Sequence, residues 1–189
     1  MNRNFFLKPA VIAFCFFLSL SFTSKAQYSV GVTGNYMIPS SEFGSAAKPG
    51  FGATVEIRKI FSDIIKAGIN IGYASFENKN SDSKISPLID GKTLTIIPVT
   101  LSAQVYFNDN KFRPFIGLDL GWATANLKLT TDAKNYFIMA PQLGVEYKLS
   151  EQVFIHLTAK DNLMFYERTA HASDLMSMVG INFGLTYKF

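Results

Sequence analysis

Cysteine is almost absent from this chain, whose 189 residues contain only Cys15. That residue falls in an N-terminal segment that is expected to be removed, so the mature chain would hold no cysteine at all. A secreted domain without cysteine has no disulfides and depends on packing and hydrogen bonding for its stability.

The N-terminal segment has the three parts of a secretory signal peptide. Arg3 and Lys8 come first, an apolar run follows over about residues 9–22, and Ser24-Lys25-Ala26 supplies a small-x-small cleavage pattern. An uncleaved anchor is the alternative, but the run is short for a transmembrane helix. We therefore predict a signal peptide over residues 1–26 and one domain over 27–189.

A strong charge of either sign is also missing. Removal of the signal peptide takes Arg3, Lys8 and Lys25 from the 18 basic residues, which leaves 15 against 14 acidic residues. A net charge near +1 gives no reason to expect a nucleic-acid partner. The pI of about 9.1 is therefore partly a property of the signal peptide.

A helical apolar period is absent from the mature chain, and alternation with a period of two residues recurs instead. Apolar and small or polar residues alternate in eight segments, which predicts eight β-strands. Most are about as long as a tilted strand that crosses a bilayer. The eight segments are residues 28–38, 50–58, 65–73, 94–107, 112–123, 136–149, 153–160 and 180–189.

The connections between these strands alternate in length. Short links are expected at residues 59–64, 108–111 and 150–152, and long polar loops at residues 39–49, 77–93, 124–135 and 161–175. All four long loops then emerge at one end of the sheet, and both termini lie at the other. This arrangement predicts an all-β fold, an eight-stranded antiparallel up-and-down transmembrane β-barrel.

The orientation of the two strand faces decides whether the barrel lies in a membrane. A soluble barrel, the alternative, would turn its apolar face inward. Aromatic residues near both strand ends favour the membrane, because amphipathic rings prefer its interfaces. These residues are Tyr28, Phe107, Tyr147, Tyr187 and Phe189 at the turn end, and Tyr36, Tyr73, Trp122 and Tyr136 at the loop end.

The opposite face carries Gly, Ser, Thr, Asn and Gln with scattered charges, and is predicted to line the lumen. Charges in so narrow an interior must pair, because an unpaired buried charge is costly. A structural network is favoured over a gated or narrow pore. The predicted lumen residues are Glu56, Arg58, Lys66, Asp119, Glu146, Lys148, His156 and Lys160.

The C-terminal sequence NFGLTYKF carries a resemblance to a known family, and IPVTLSAQVYF and RPFIGLDLGW add weaker support. The mature chain resembles the small eight-stranded outer-membrane β-barrels, the OmpA-transmembrane-domain and OmpX-like group (outer membrane protein beta-barrel domain). Two residues depart from the pattern, because Pro98 and Pro141 fall inside predicted strands and remove ladder donors.

The resemblance implies location in the outer membrane of a Gram-negative cell, contact with its lipid, and recognition by the barrel-assembly machinery. In that family the machinery reads the C-terminal strand. The matching positions here are Asn182, Gly184, Leu185, Tyr187 and Phe189.

Residues for catalysis or metal binding are scarce. The two histidines, His156 and His171, lack the further ligands that zinc requires, and no Gly-rich phosphate loop, HExxH or GxSxG motif is present. His156 with Thr158 could suggest a lipid-modifying hydrolase, but that face should be the lumen. We expect a non-enzymatic protein without cofactors, whose loops carry any surface interaction. A small channel for ions or an apolar solute is the alternative.

Overall fold

The computed structural model describes residues 27–40, 43–44, 47–79, 93–125, 134–169 and 172–189, with only the backbone for 134, 166–169 and 172–174. The predicted signal peptide and most of the second and third long loops lie outside these residues. Among the described residues, no helix is long and apolar enough to cross a membrane.

Eight antiparallel strands pair in chain order and close into a barrel, as predicted. The last strand pairs with the first, from Ser29 opposite Lys188 to Pro39 opposite Met178. The strands are β1 (Gln27–Pro39), β2 (Gly50–Ser62), β3 (Ile65–Glu77), β4 (Thr93–Tyr106), β5 (Phe112–Ala125), β6 (Lys134–Lys148), β7 (Val153–Thr169) and β8 (Ala172–Lys188).

The C-terminus is held in this sheet on both sides. The Phe189 amide donates to the Tyr28 carbonyl at 2.8 Å, and the Lys188 amide donates to the Gln152 carbonyl at 2.8 Å. The alternating pattern can therefore continue to the last residue, because neither edge of β8 is left unpaired.

The apolar face points outward, as the sequence predicts. Leu101 is 58% exposed and Leu185 is also exposed, whereas Gln104, Glu146 and Asn182 are buried inside the barrel. The aromatic residues at the strand ends are exposed too, with one exception. Tyr136 was expected at the interface but is buried in the lumen, because it lies on the inward side of β6.

The prediction of a fourth long loop over residues 161–175 is wrong. β7 continues to Thr169 and β8 begins at Ala172, so these residues form a long hairpin, and the His171 position lies outside the described residues. Polar residues such as Asp161 and Asn162 suggested a loop. A strand that rises beyond the hydrocarbon needs no apolar face, so polarity does not end it there.

The two prolines remain inside strands. Pro98 lies in β4 and Pro141 in β6, and both strand bounds agree with the prediction to within two residues. Pairing is interrupted beside each proline while the register is kept. β3 pairs with β4 at Ile71–Val99 and again at Ala74–Ile96, with no pairs between.

Substitution of Leu101 by Arg tests the outward orientation. A charge in the middle of the lipid-facing surface should lower the free energy of unfolding by about 2–4 kcal/mol. Phe107→Arg, at the turn-end interface of the same strand, should cost about 1 kcal/mol or less. Denaturant unfolding in lipid vesicles measures both values, and equal costs would contradict the assigned membrane depth.

Candidate functional site: the barrel lumen

The charged residues of the lumen form three hydrogen-bonded clusters between the short turns and the middle of the barrel. The first is centred on Glu146, whose side chain is 2% exposed. Lys66 Nζ donates to both of its carboxylate oxygens, at 2.9 and 2.8 Å. Arg113 Nη1 and the Tyr106 hydroxyl donate to it at 3.2 and 3.1 Å. One buried carboxylate therefore binds two cations, and the second of them, Arg113, also lies 3.6 Å from Asp109 Oδ1 near the β4–β5 turn.

Aromatic rings complete this first cluster. Lys66 Nζ and the Arg113 guanidinium carbon each lie 4.6 Å from the centre of the Tyr106 ring. The Phe154 ring lies 5.2 Å from Lys66 Nζ. Ring faces attract cations, and this attraction is stronger when the cation is removed from water.

The second cluster joins Glu56, Arg58, Thr33 and His156. Arg58 forms an ion pair with Glu56, and both side chains are buried. Thr33 Oγ1 donates to Glu56 Oε1 at 3.1 Å and lies 3.1 Å from His156 Nε2. A Cβ atom on Gly184 would lie 2.5 Å from His156 Nε2, so a glycine leaves the space that this contact needs.

The third cluster surrounds Asp119 near the middle of the barrel. Lys160 Nζ donates to Asp119 Oδ2 at 2.6 Å, and Asn70 Nδ2 donates to the same oxygen at 3.0 Å. Gln142 Nε2 donates to Oδ1 at 2.8 Å. The carboxylate is thus bound by three donors from three strands.

Seven of the eight predicted lumen residues lie in these clusters, and the eighth does not. Lys148 lies near the β6–β7 turn and forms a partly exposed ion pair with Glu151 at 3.1 Å. Arg113 is a lumen cation that the sequence analysis missed. Its position six residues before Asp119 in β5 places it on the same face, so the alternation could have identified it.

The loop-end half of the lumen is apolar, contrary to the predicted polar interior. Alternate residues from most of the strands are buried here and form one hydrophobic cluster. Its members in the strands are Met37, Ala74, Phe76, Leu94, Ile96, Ala123, Ala125, Tyr136, Ile138, Met164, Met176 and Met178.

The first loop closes the outer end of this cluster. Phe43 packs against Phe76 with ring centres 5.3 Å apart, and Ala47 forms a bridge to Asn78. Both Phe43 and Ala47 are almost completely buried. Within the described residues of this loop, Phe43 and Ala47 are therefore packed in the barrel mouth.

Two of the cavities along the described part of the lumen lie at its middle and at its turn end. One of about 50 Å³ lies where the polar and apolar halves meet, and Asn70, Met37 and Met178 are among its lining residues. The other, of about 220 Å³, opens at the turn end beside Lys66, Arg113 and Asp63. Within the described residues, no group of three His, Cys, Asp or Glu side chains could hold a metal.

The sequence from residue 11 to residue 189 matches the family model described as outer membrane protein beta-barrel domain. The chain belongs to this family. As an outer membrane protein beta-barrel domain, it is located in the outer membrane, with its short turns toward the periplasm and its loops outside.

Solved structures agree with this fold. Neisserial surface protein A (NspA) has a TM-score of 0.64 at 17% identity, over 86% of this chain and 97% of that one. OprG from Pseudomonas aeruginosa has a TM-score of 0.56 at 14% identity, over 87% and 96%. Ail, the attachment invasion locus protein of Yersinia pestis, has a TM-score of 0.54 at 11% identity, over 88% of this chain and 100% of that one. That structure is a complex with the heparin analogue sucrose octasulfate.

At these identities the three structures show a shared fold only. No curated protein matches this outer membrane protein beta-barrel domain significantly.

Substitution of Glu146 by Ala tests the first cluster. Lys66 would lose its carboxylate partner and Arg113 the nearer of its two, so the free energy of unfolding should fall by about 3–5 kcal/mol. Lys148→Ala serves as the control, because it removes only an exposed pair and should change stability by about 1 kcal/mol or less. Unfolding in detergent measures both values, and similar losses would show that the cluster is not stabilising.

Proposed function

We propose that this protein is a non-enzymatic outer-membrane barrel that does not conduct ions and acts at its loop end. The observation that carries the proposal is the pairing of charges across the lumen. Three carboxylates, Glu56, Asp119 and Glu146, are bound by cations from other strands or neighbouring positions. An eight-stranded barrel is just wide enough for side chains to fill, so this network obstructs ion passage.

The surroundings of His156 support a non-enzymatic role. The ring is buried in the lumen, and its nitrogens lie near the hydroxyls of Thr33 and Thr186, at 3.1 and 3.4 Å. A lipid-modifying hydrolase needs its nucleophile and base where lipid can reach them. Here the two residues that could act together, His156 and Thr158, are both buried on the inner face of the wall, away from the lipid.

Surface interaction is assigned to the loop end. We assign it to the second and third long connections in the sequence, residues 78–92 and 126–133, and to the β7–β8 hairpin. The first loop packs into the mouth through Phe43 and is less available. Rigid barrels commonly display binding residues on such connections.

The C-terminal strand is proposed to contact the barrel-assembly machinery. Leu185, Tyr187 and Phe189 lie on the outward face of β8, with Phe189 69% exposed. Asn182 and Gly184 face inward, and Gly184 accommodates His156. We assign recognition to the three outward side chains and packing to the two inward positions.

A second candidate function is binding of an apolar solute in the loop-end half of the lumen. The apolar cluster favours it, since a barrel that served only as an anchor could be polar throughout. Met37, Met164, Met176 and Met178 contribute four flexible side chains to this cluster. Methionine adapts to irregular apolar shapes, which suits a site that opens around a solute.

The purified barrel in planar lipid bilayers should give no discrete conductance steps, because its charged clusters occupy the lumen. The double variant Glu56→Ala/Arg58→Ala removes both partners of one pair and should still give no steps, because the Glu146 and Asp119 clusters and the apolar loop-end half remain. The mobility difference between boiled and unboiled samples in gels checks that each protein is folded. Regular steps from the unmodified barrel would refute the proposal.

Substitution of Phe189 by Ala should lower the amount of barrel assembled in the outer membrane of cells several-fold. Refolding of the purified variant in detergent should be unchanged, because an exposed ring contributes little to the isolated fold. Phe107→Ala, also an exposed aromatic at the turn end, is the control. Equal losses of assembly for the two variants would argue against C-terminal recognition.

A further inference from the structure

A carboxylate lies on the outward surface of the barrel near the loop end. Asp161 belongs to β7, where the neighbouring Lys160 points inward and donates to Asp119 Oδ2. Successive residues of a strand face opposite sides of the sheet, so Asp161 points away from the lumen. The alternation holds on both sides of it, because Leu157 and Phe165 are outward and exposed. Asp161 is thus an acidic residue on the lipid-facing side of the wall.

Asp161 lies near the outer boundary of the hydrocarbon. Tyr36, one of the exposed aromatics at the loop end, is paired with Ile181, and Ile181 is paired with Ala159. Asp161 follows Ala159 by two residues toward the loop end, which brings it close to the depth of Tyr36. Such rings mark the boundary between hydrocarbon and headgroups. The carboxylate is therefore within reach of the headgroups of the outer leaflet.

Two serine hydroxyls orient this carboxylate. Ser177 Oγ of β8 donates to Asp161 Oδ1 at 2.7 Å. Ser40 Oγ, directly after β1, donates to Ser177 Oγ at 2.8 Å, and the Ser40 amide donates to the Ser177 carbonyl at 3.0 Å. We call Asp161, Ser177 and Ser40 the outer carboxylate site. Its hydrogen bonds join β7, β8 and the end of β1, so the carboxylate is held in place before any ligand binds.

The negative charge of Asp161 has no cationic partner in the described part of the chain. None of the ion pairs between described residues includes it. Oδ1 accepts from Ser177, whereas no described residue donates to Oδ2. Glu77, another outward carboxylate near the loop end, is by contrast bound by Lys48 Nζ at 3.1 Å. A free carboxylate oxygen beside apolar surface favours a ligand that brings both a positive charge and a donor.

Apolar surface adjoins the outer carboxylate site on its membrane side. Val179 is paired with Asp161 across β7 and β8, and Ile38 of β1 is paired with Val179. Ile181 follows on the same face of β8, and all three apolar side chains are exposed. They form a strip against which alkyl chains can pack, directly below a carboxylate at headgroup depth. This combination matches an amphiphile with a cationic headgroup.

We propose that the outer carboxylate site binds a membrane lipid whose headgroup carries a primary ammonium group. The ammonium donates to Asp161 Oδ2, and the acyl chains lie along Val179, Ile38 and Ile181. A primary ammonium has three hydrogens to donate and a quaternary ammonium has none, so the site distinguishes the two. The bound lipid lies at the base of the β7–β8 hairpin, outside the wall, and does not depend on the obstruction of the lumen.

A divalent cation fits the outer carboxylate site less well. Hard cations such as Ca²⁺ take six or more oxygen ligands, commonly from several carboxylates. Asp161 is the one carboxylate of this site, and among the described residues no group of three His, Cys, Asp or Glu side chains could hold a metal. An ammonium needs no such shell, because it is satisfied by a few acceptors and by its own lipid phosphate.

Substitution of Asp161 by Asn tests the ion pair, because it removes the charge and keeps the shape of the side chain. Unmodified barrel and variant are equilibrated in detergent with equal amounts of phosphatidylethanolamine and phosphatidylcholine of identical acyl chains. Native mass spectrometry then counts the retained lipids. The unmodified barrel should retain phosphatidylethanolamine several-fold over phosphatidylcholine, and the variant should retain both equally. Equal retention by the unmodified barrel, or a preference that survives in the variant, would overturn the proposal.

Glu77→Gln is the matched control. It also removes an outward carboxylate near the loop end, but one that already has Lys48 as its partner. The preference for phosphatidylethanolamine should therefore remain. A loss of preference in both variants would show a general effect of net charge and would count against a specific site. Gel mobility before and after boiling checks that each variant is folded.

A phosphatidylethanolamine with a diazirine in its acyl chain locates the bound lipid. The barrel is reconstituted with this probe in phosphatidylcholine vesicles and illuminated, and mass spectrometry compares adducts on Val179 and Ile181 with adducts on Leu101, which faces lipid from β4. The first two residues should be labelled several-fold more, and Asp161→Asn should abolish the difference. The same diazirine in phosphatidylcholine should label all three equally. Equal labelling by the ethanolamine probe would overturn the assigned position.

Two further arms identify the source of the ammonium and the nature of the contact. Lipopolysaccharide with and without ethanolamine on its phosphates replaces the phospholipid pair in the retention measurement. Retention that requires the amine supports the site with lipopolysaccharide as the source, whereas a preference confined to phosphatidylethanolamine supports it with a phospholipid. Addition of EDTA should change neither result. A preference that disappears with the chelator would overturn the direct ion pair in favour of a metal bridge.

Discussion

Pairing of β1 with β8 converts the sheet into a closed cylinder, and the other features of the protein depend on that closure. In hydrocarbon no water is available to backbone amides and carbonyls, so every strand needs neighbours on both sides. Hydrogen bonds from Phe189 to Tyr28 and from Lys188 to Gln152 continue this pairing to the end of the chain. Closure also fixes which side chains face lipid and which must fill the centre.

The centre is filled in two different ways. Near the turns, paired charges occupy it, and each of the carboxylates Glu146, Glu56 and Asp119 is satisfied by more than one donor. Near the loops, methionine and other apolar side chains occupy it under Phe43. The charged half gives directional contacts that hold strands in register, whereas the apolar half can rearrange with little electrostatic cost. Obstruction of ions and accommodation of an apolar molecule are therefore assigned to different halves.

Strand number, topology and orientation could be predicted from the sequence because a period of two residues is a direct result of strand geometry. The same reasoning identified lumen residues such as Glu56 and Asp119, whose charges are conspicuous on a polar face. Lys148 lies outside the clusters, beside the turn-end cavity, because alternation gives the face of a residue but not its height in the barrel. Arg113 also follows the alternation, but the sequence analysis did not identify it as a lumen residue.

The apolar half of the lumen could not be predicted in the same way. Met176 and Met178 lie between the predicted fourth loop and the predicted last strand, in residues assigned to neither, and burial of Phe43 depends on its packing against distant strands. Such contacts join residues far apart in sequence and have no local signature. Pro98 and Pro141 could be recognised as missing donors, but the gaps in pairing beside them are a property of the folded wall.

The length of the last hairpin gives the outer profile of the protein an asymmetry. β7 and β8 each have 17 residues, whereas β1, β2 and β3 have 13. At about 3.3 Å per residue, the four extra residues correspond to roughly 13 Å of additional ribbon. Among the described strands, this hairpin continues past its last pairs with β1 and β6, and it presents an arm above the headgroups to a large molecule that approaches from outside.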